Sequence, residues 1–214
     1  MSESKILKLS NSNHPVIGAD REKLIEAAAE KFGEFLDVLG HDWQNDHNAS
    51  DTPRRVAKAI VNEICAGNFD QEPKITAFDN EKGYNGMVAQ CNIEVVSLCA
   101  HHWLPFTGVA HVAYIPSKEG KMIGLSKLNR VVDWFARRPQ IQEDLTIQIF
   151  QYLNVICKDN DGVAVTIESN HTCCSSRGIR HKSTMTTAEM NGRFREPGNL
   201  VRTEYLEAIN RSKR

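Results

Sequence analysis

The chain has 214 residues, 41% hydrophobic and 25% charged, the composition of a soluble globular protein with enough apolar material for a core, which excludes disorder along its whole length. Lys and Arg number 26 against 27 Asp and Glu, a formal net charge of −1, so no global field draws the chain to nucleic acid or membrane and any anion site must rest on local clusters. No apolar run reaches the ~18 residues of a membrane span. Met1 to Leu9 mixes charged with apolar residues instead of presenting the apolar stretch of an export signal, so a cytoplasmic protein is expected.

Residues 1–18 are polar and read as a loose arm. From Asp20 to Leu39 the residues Leu24, Ile25, Ala28, Phe32, Phe35, Leu36 and Leu39 recur at helical spacing, with Gly40 placed as a C-terminal cap. A second helix starts at Asp51-Thr52-Pro53, where Asp51 is expected to cap and Pro53 to sit in the first turn, and ends at Gly67. Met87–Leu98 and Phe106–Ile115 alternate as strands. Ser126–Arg137 is helical and is broken by Arg138-Pro139, and Ile141–Cys157 is the next helix. Val163, Val165 and Ile167 mark a strand ending near Asn170, His181–Met190 a fourth strand, and Leu200, Tyr205, Leu206 and Ile209 a final helix. Two helices followed by a ββααββ run predict an α+β layer: an antiparallel sheet with helices on one face, preceded by N-terminal helices. The expected division is an arm over 1–18, a helical region over 19–70 and a catalytic domain over 71–214. Four strands leave two open edges, which assembly edge to edge would hide.

The six cysteines are Cys65, Cys91, Cys99, Cys157, Cys173 and Cys174. In a reducing compartment they direct attention to metal or thiolate chemistry, not to disulfides. Cys65, Cys91 and Cys157 read as small buried hydrophobes. Ser97-Leu98-Cys99-Ala100-His101-His102 differs, since Cys and His three apart at a strand end can bend around one ion, and His171-Thr172-Cys173-Cys174 lies 74 residues beyond Cys99, counted to Cys173, also at a strand end. In an antiparallel layout the two ends can meet. Two thiolates and one imidazole would suit zinc and leave a fourth position open, the pattern of a catalytic site; chance spacing of Cys and His is the competing explanation. Ser126, Lys127 and Arg130 cluster at a helix N-terminus, where free N–H groups attract anions. Arg177 and Arg180 follow the second Cys/His cluster, and Arg54, Arg55 and Lys58 crowd the second helix. Together they suit a multiply charged anion such as a triphosphate, or simply form a solvated cationic face. Glu143, in a first helical turn, can accept two hydrogen bonds from a guanine edge, though a surface Glu there needs no function.

These residues resemble the GTP cyclohydrolase I family. The resemblance runs from about Asp51 to the end. It rests on Asp51-Thr52-Pro53-Arg54-Arg55-Val56-Ala57-Lys58, Cys99-x-His101-His102, Val112-Ala113-Tyr114-Ile115-Pro116, Gly124-Leu125-Ser126-Lys127-Leu128-Asn129-Arg130, Arg138-Pro139-Gln140-x-Gln142-Glu143 and His171-x-Cys173-x-x-x-Arg177-Gly178-Ile179-Arg180. It implies the tunnel fold, in which ββααββ units join side by side into a barrel, and a homodecamer with active sites between subunits. It implies hydrolysis of GTP to 7,8-dihydroneopterin triphosphate and formate, the entry to folate-type pterins or deazaguanine nucleosides. By the same resemblance Cys99, His102 and Cys173 hold zinc with water at the open position, and His101 and His171 move protons. Glu143 reads guanine with help from Gln142. Ser126, Lys127, Arg130 and Arg177 hold the triphosphate, with Arg55 and Lys58 from a neighbouring subunit. No nucleic-acid or membrane partner is expected. The chain departs from the family at Ala100, where the family carries Glu, and at Cys174, which follows a ligand position with a second thiol. Ala100 is the one hint of an alternative, a degenerate cyclohydrolase that binds zinc and GTP in a regulatory role.

Overall fold

The computed structural model describes residues 16–213; the expected arm lies outside the described residues up to residue 15. Helix α1 (Arg21–Val38) begins where the Asp20 carboxylate accepts from the Lys23 amide, and Gly40 follows it with φ 78°. Helix α2 (Thr52–Ala59) has Pro53 in its first turn, as expected, and runs into a wider π turn over Ile60–Ile64. Asp51 does not cap it, contrary to the sequence expectation, because its carboxylate pairs instead with the Arg55 guanidinium one turn on, at 3.1 Å. Ile25, Ala57 and Val61 form a small core between the two helices.

The remaining chain builds β1 (Ala77–Asp79), β2 (Val88–Cys99), β3 (Pro105–Pro116), β4 (Lys121–Ile123), α3 (Leu125–Ala136), β5 (Pro139–Gln140), α4 (Gln142–Ile156), β6 (Asn160–His171), the short α5 (Thr172–Ser175), β7 (Thr184–Met190) and α6 (Val201–Ser212). β1 and β4 make a separate antiparallel pair, and the main sheet has the order β5-β2-β3-β6-β7. All its neighbours are antiparallel except β5, which adds two residues parallel to the end of β2, Leu98 opposite Pro139 and Cys99 opposite Gln140.

Alternation along β3 divides the interior. Phe106, Ala110, Val112 and Tyr114 join Leu128, Val131, Val132 and Phe135 of α3 and Leu145, Ile149, Tyr152 and Leu153 of α4 in the principal core. Ala113 and Ile115 point the other way, onto Val201, Tyr205 and Ile209 of α6. Helices therefore lie on both faces, which corrects the expectation of one. The ββααββ unit itself puts its helices on a single face, and the apolar residues of α6, spaced four apart, cover part of the other.

Candidate metal centre and its polar surroundings

β2 and β3 are joined by a tight turn. The Cys99 amide donates to the Leu104 carbonyl and the Trp103 amide to the Cys99 carbonyl, both at 2.9 Å, while the Ala100 amide is tied to the Gln140 carbonyl at 3.1 Å. Trp103 closes the turn in the left-handed region, φ 52°, a conformation that non-glycine residues adopt only when the surrounding contacts impose it. Cys99 is buried and His102 stands on the exposed tip. Two strands away from β2, β6 brings His171 opposite Phe106 of β3. The chain then turns into α5, which carries Cys173, and the Thr172 hydroxyl fastens it to the Pro105 carbonyl.

Leu98 pairs with Pro105 and Phe106 with His171, so the two ends expected to meet do meet. The Cys99 thiol, one His102 ring nitrogen and the Cys173 thiol all lie within 4.8 Å of one another. Tetrahedral ligands at about 2.0–2.3 Å from a zinc ion sit about 3.3–3.8 Å apart, so a small contraction of this set is enough to hold one. The electrostatics of the cluster suit a cation. The Cys173 thiol is pushed up to about 11, by burial first and then by the Cys99 and Cys174 thiols against it. Crowded sulfurs oppose one another's ionisation, and a divalent cation among them reverses that balance. Among the described residues this is the one such cluster of metal-ligating side chains, and it contains Cys173 and not the exposed Cys174.

Two further histidines border the cluster. His101 has Nδ1 3.7 Å from Cys99 Sγ, and His171 has Nδ1 4.0 Å from Cys173 Sγ. The His171 ring stacks on Phe106 with centroids 4.6 Å apart and planes 11° apart. Burial lowers its pKa, and the Glu143 carboxylate nearby pulls it back upward. Arg177 donates to His102 Nε2; a metal bound through that nitrogen must turn Arg177 away, leaving its guanidinium free for an anion. Gln142 opens α4 and is 1% exposed. Its amide nitrogen lies near Ile167 O at 3.0 Å, Met185 O at 3.2 Å and Thr187 Oγ1 at 3.1 Å, so this amide is occupied by the protein itself.

Other candidates lie elsewhere. The Ile123 amide donates to the Tyr114 hydroxyl. Tyr114 stands eight residues along β3 from Phe106, or about 26 Å at the rise of a strand. Ser126, Lys127 and Arg130 follow Ile123 on α3, near the opposite end of the sheet from Cys99 and Cys173. Arg130 there borders a depression shared with Asp70, Asp133 and Arg137. Arg55 is paired with Asp51 and, like Lys58, is exposed on α2. Sequence reasoning missed Phe106, Ser169 and Thr187 around His171. The alternation Val165, Ile167, Ser169 is the signal that puts Ser169 on the buried face.

The family described as GTP cyclohydrolase I matches residues 28–210. The GTP cyclohydrolase 1 of Flavobacterium johnsoniae is 44% identical over 192 residues, covering 89% of this chain and 83% of the relative. That of Streptomyces griseus is 44% identical over 194 residues, covering 90% and 92%, and that of Vibrio cholerae 39% over 192 residues, covering 89% and 85%.

Proposed function

The chain belongs to the GTP cyclohydrolase I family, and from that premise we propose that it is a zinc-dependent hydrolase converting GTP and water to 7,8-dihydroneopterin triphosphate and formate, the first step toward a pterin or deazaguanine product. The observation that carries the reading is the convergence of Cys99, His102 and Cys173 within 4.8 Å in a chain 44% identical to a GTP cyclohydrolase 1 over nearly nine-tenths of its length. Zinc bound by these three side chains supplies the Lewis acidity that makes water nucleophilic near neutral pH. His101 and His171, flanking the two thiols, accept and return protons while the imidazole ring of the purine opens and the formyl group leaves. Glu143 accepts from the N1–H and exocyclic amine of guanine. Arg177, Ser126, Lys127, Arg130, Arg55 and Lys58 bind the triphosphate.

The about 26 Å of strand between Tyr114 and Phe106 supports a site assembled from more than one copy of the chain. Ser126, Lys127 and Arg130 of one subunit then serve the metal cluster of another, and an edge-to-edge tunnel-fold decamer is the arrangement the family implies. The test is incubation of the zinc-loaded protein with GTP. Formate release, together with a product that becomes a fluorescent neopterin on oxidation, is the expected result. Binding of zinc and GTP without formate would instead favour a regulatory, non-catalytic member, the reading to which Ala100 points.

A further inference from the structure

We infer that Gln142 is a positioning residue that fixes the tautomer of His171, keeping the proton on Nε2 and the free lone pair on Nδ1, the nitrogen that faces the metal cluster. The catalytic consequence rests on the cyclohydrolase reading; the tautomer itself rests on hydrogen-bond geometry.

The two ends of a side-chain amide are told apart by their partners. One end of Gln142 faces two main-chain carbonyls, Ile167 O at 3.0 Å and Met185 O at 3.2 Å. Carbonyls only accept, so this end is the NH2 group. The opposite end is then the carbonyl oxygen, which carries no hydrogen and can only accept. It takes the Ser169 hydroxyl at 2.6 Å and faces His171 Nε2 at 2.9 Å. That second contact is attractive only if Nε2 bears a proton. Nδ1 is therefore the unprotonated nitrogen of the neutral ring, 4.0 Å from Cys173 Sγ.

The surroundings make the assignment rigid. Thr146 Oγ1 donates to the Gln142 main-chain carbonyl at 2.9 Å and lies 2.6 Å from Thr187 Oγ1. With its proton so used, Thr146 accepts from Thr187, and Thr187 in turn accepts from the Gln142 amide at 3.1 Å. Every hydroxyl proton of the network then has one direction. Turning the amide over would set an oxygen against two carbonyls, with Gln142 and Ser169 each 1% exposed and so shielded from bulk solvent. The Phe106 stack holds the ring plane. Gln142 is thus committed within the chain to His171, where the sequence reading had it help Glu143 at the guanine.

The test is a long-range proton–nitrogen correlation spectrum of the full zinc-loaded chain labelled with 15N-histidine, the His171 signals being assigned by their loss in His171→Asn. The expected pattern is the Nε2–H tautomer; an Nδ1–H pattern, or an even mixture, overturns the inference. Gln142→Leu is expected to mix the tautomers and to lower kcat for formate release tenfold or more, with KM for GTP changing less than twofold. A tenfold rise in KM with kcat retained would place Gln142 against the substrate and also overturn it. The wild-type spectrum decides the tautomer even if the variant fails to fold. A wild-type protein with the expected spectrum and no formate would sink the cyclohydrolase reading and leave the positioning assignment standing.

Discussion

Replacing Cys173 by Ser tests the metal centre most directly. The side chain is half-buried at the rim of the main core, and Ser has nearly the same shape, so the fold should persist. The chemistry changes far more, because an alcohol does not ionise near neutral pH and a charged soft donor becomes a weak neutral one. Structural zinc sites with four ligands are worth about 10–16 kcal/mol, or about 2.5–4 kcal/mol per ligand. Losing one of the three donors here should therefore weaken zinc about 100- to 1,000-fold. Competition against a chelator of known affinity, with metal content measured after gel filtration, reads the change, and formate release should vanish in step. Cys174→Ser is the control and should retain zinc, since Cys174 is exposed and outside the cluster. If Cys173→Ser held zinc as tightly as the parent, the ligand set drawn from the 4.8 Å cluster would be wrong.

Glu143→Ala should leave zinc in place and weaken GTP by about 1–3 kcal/mol, the worth of a bidentate contact to a base; titration with GTP and with inosine triphosphate should show the preference for guanine collapsing. Gly108→Ala should cost at least the about 1–3 kcal/mol of an overpacked core, because a Cβ there meets Glu168 O at 1.9 Å and Ser169 Cα at 2.6 Å. Urea denaturation checks the stability, and activity should fall with it as β6 is pushed from β3. His111 is buried, accepts from the Asn92 amide at 3.3 Å and has its pKa lowered, by burial first, with Glu168 opposing and Lys213 adding to the shift. The unfolded chain therefore takes up this proton first, so the contribution is complete above the ordinary histidine value near 6.5 and is lost as pH falls below it. It falls by at most about 1.4 kcal/mol per pH unit, which urea midpoints at pH 8 and pH 5.5, with and without His111→Asn, would measure. Finally, formate release per chain should fall on dilution while zinc content per chain stays constant, since the metal ligands lie in one chain and the α3 cations lie far from them.

The elements with strong local periodicity were legible in the sequence. α1, α3 and α4 each show an apolar stripe, and β2 and β3 alternate over long stretches. What was not legible depends on partners distant in sequence. β1, β4 and β5 are two or three residues long, too short for any period, and exist because Ala77 finds Ile123 and Leu98 finds Pro139. Asp51 has the composition of a cap, yet Arg55 one turn along competes for its carboxylate and wins. The placement of α6 on the second face follows from Ala113 and Ile115, whose side depends on the register of β3 and not on α6 itself. At the site, Cys99, His102 and Cys173 stood out because Cys and His are rare and their spacing carries chemistry. Phe106, Ser169 and Thr187 are ordinary core and strand residues by type, and only their position against Gln142 and His171 gives them a role.

The division of labour in the chain follows from which forces set each distance. Cys99 and Cys173 are held at the ends of paired strands, so their separation is fixed by backbone hydrogen bonds between β3 and its two neighbours, and a slip of one residue would turn Phe106 and His171 to the wrong faces together. The same ladder fixes Gln142, whose amide bridges carbonyls of β6 and β7. Metal site, histidine tautomer and sheet register are thus a single structural commitment, made within one chain and expensive to alter piecemeal. The cations proposed to bind a triphosphate stand on different terms. Apart from Arg177, which lies just past α5, they sit on helices, largely exposed, where charge can be presented to a second body. A chain built this way can prepare its reactive groups alone and still depend on a neighbour to hold the substrate.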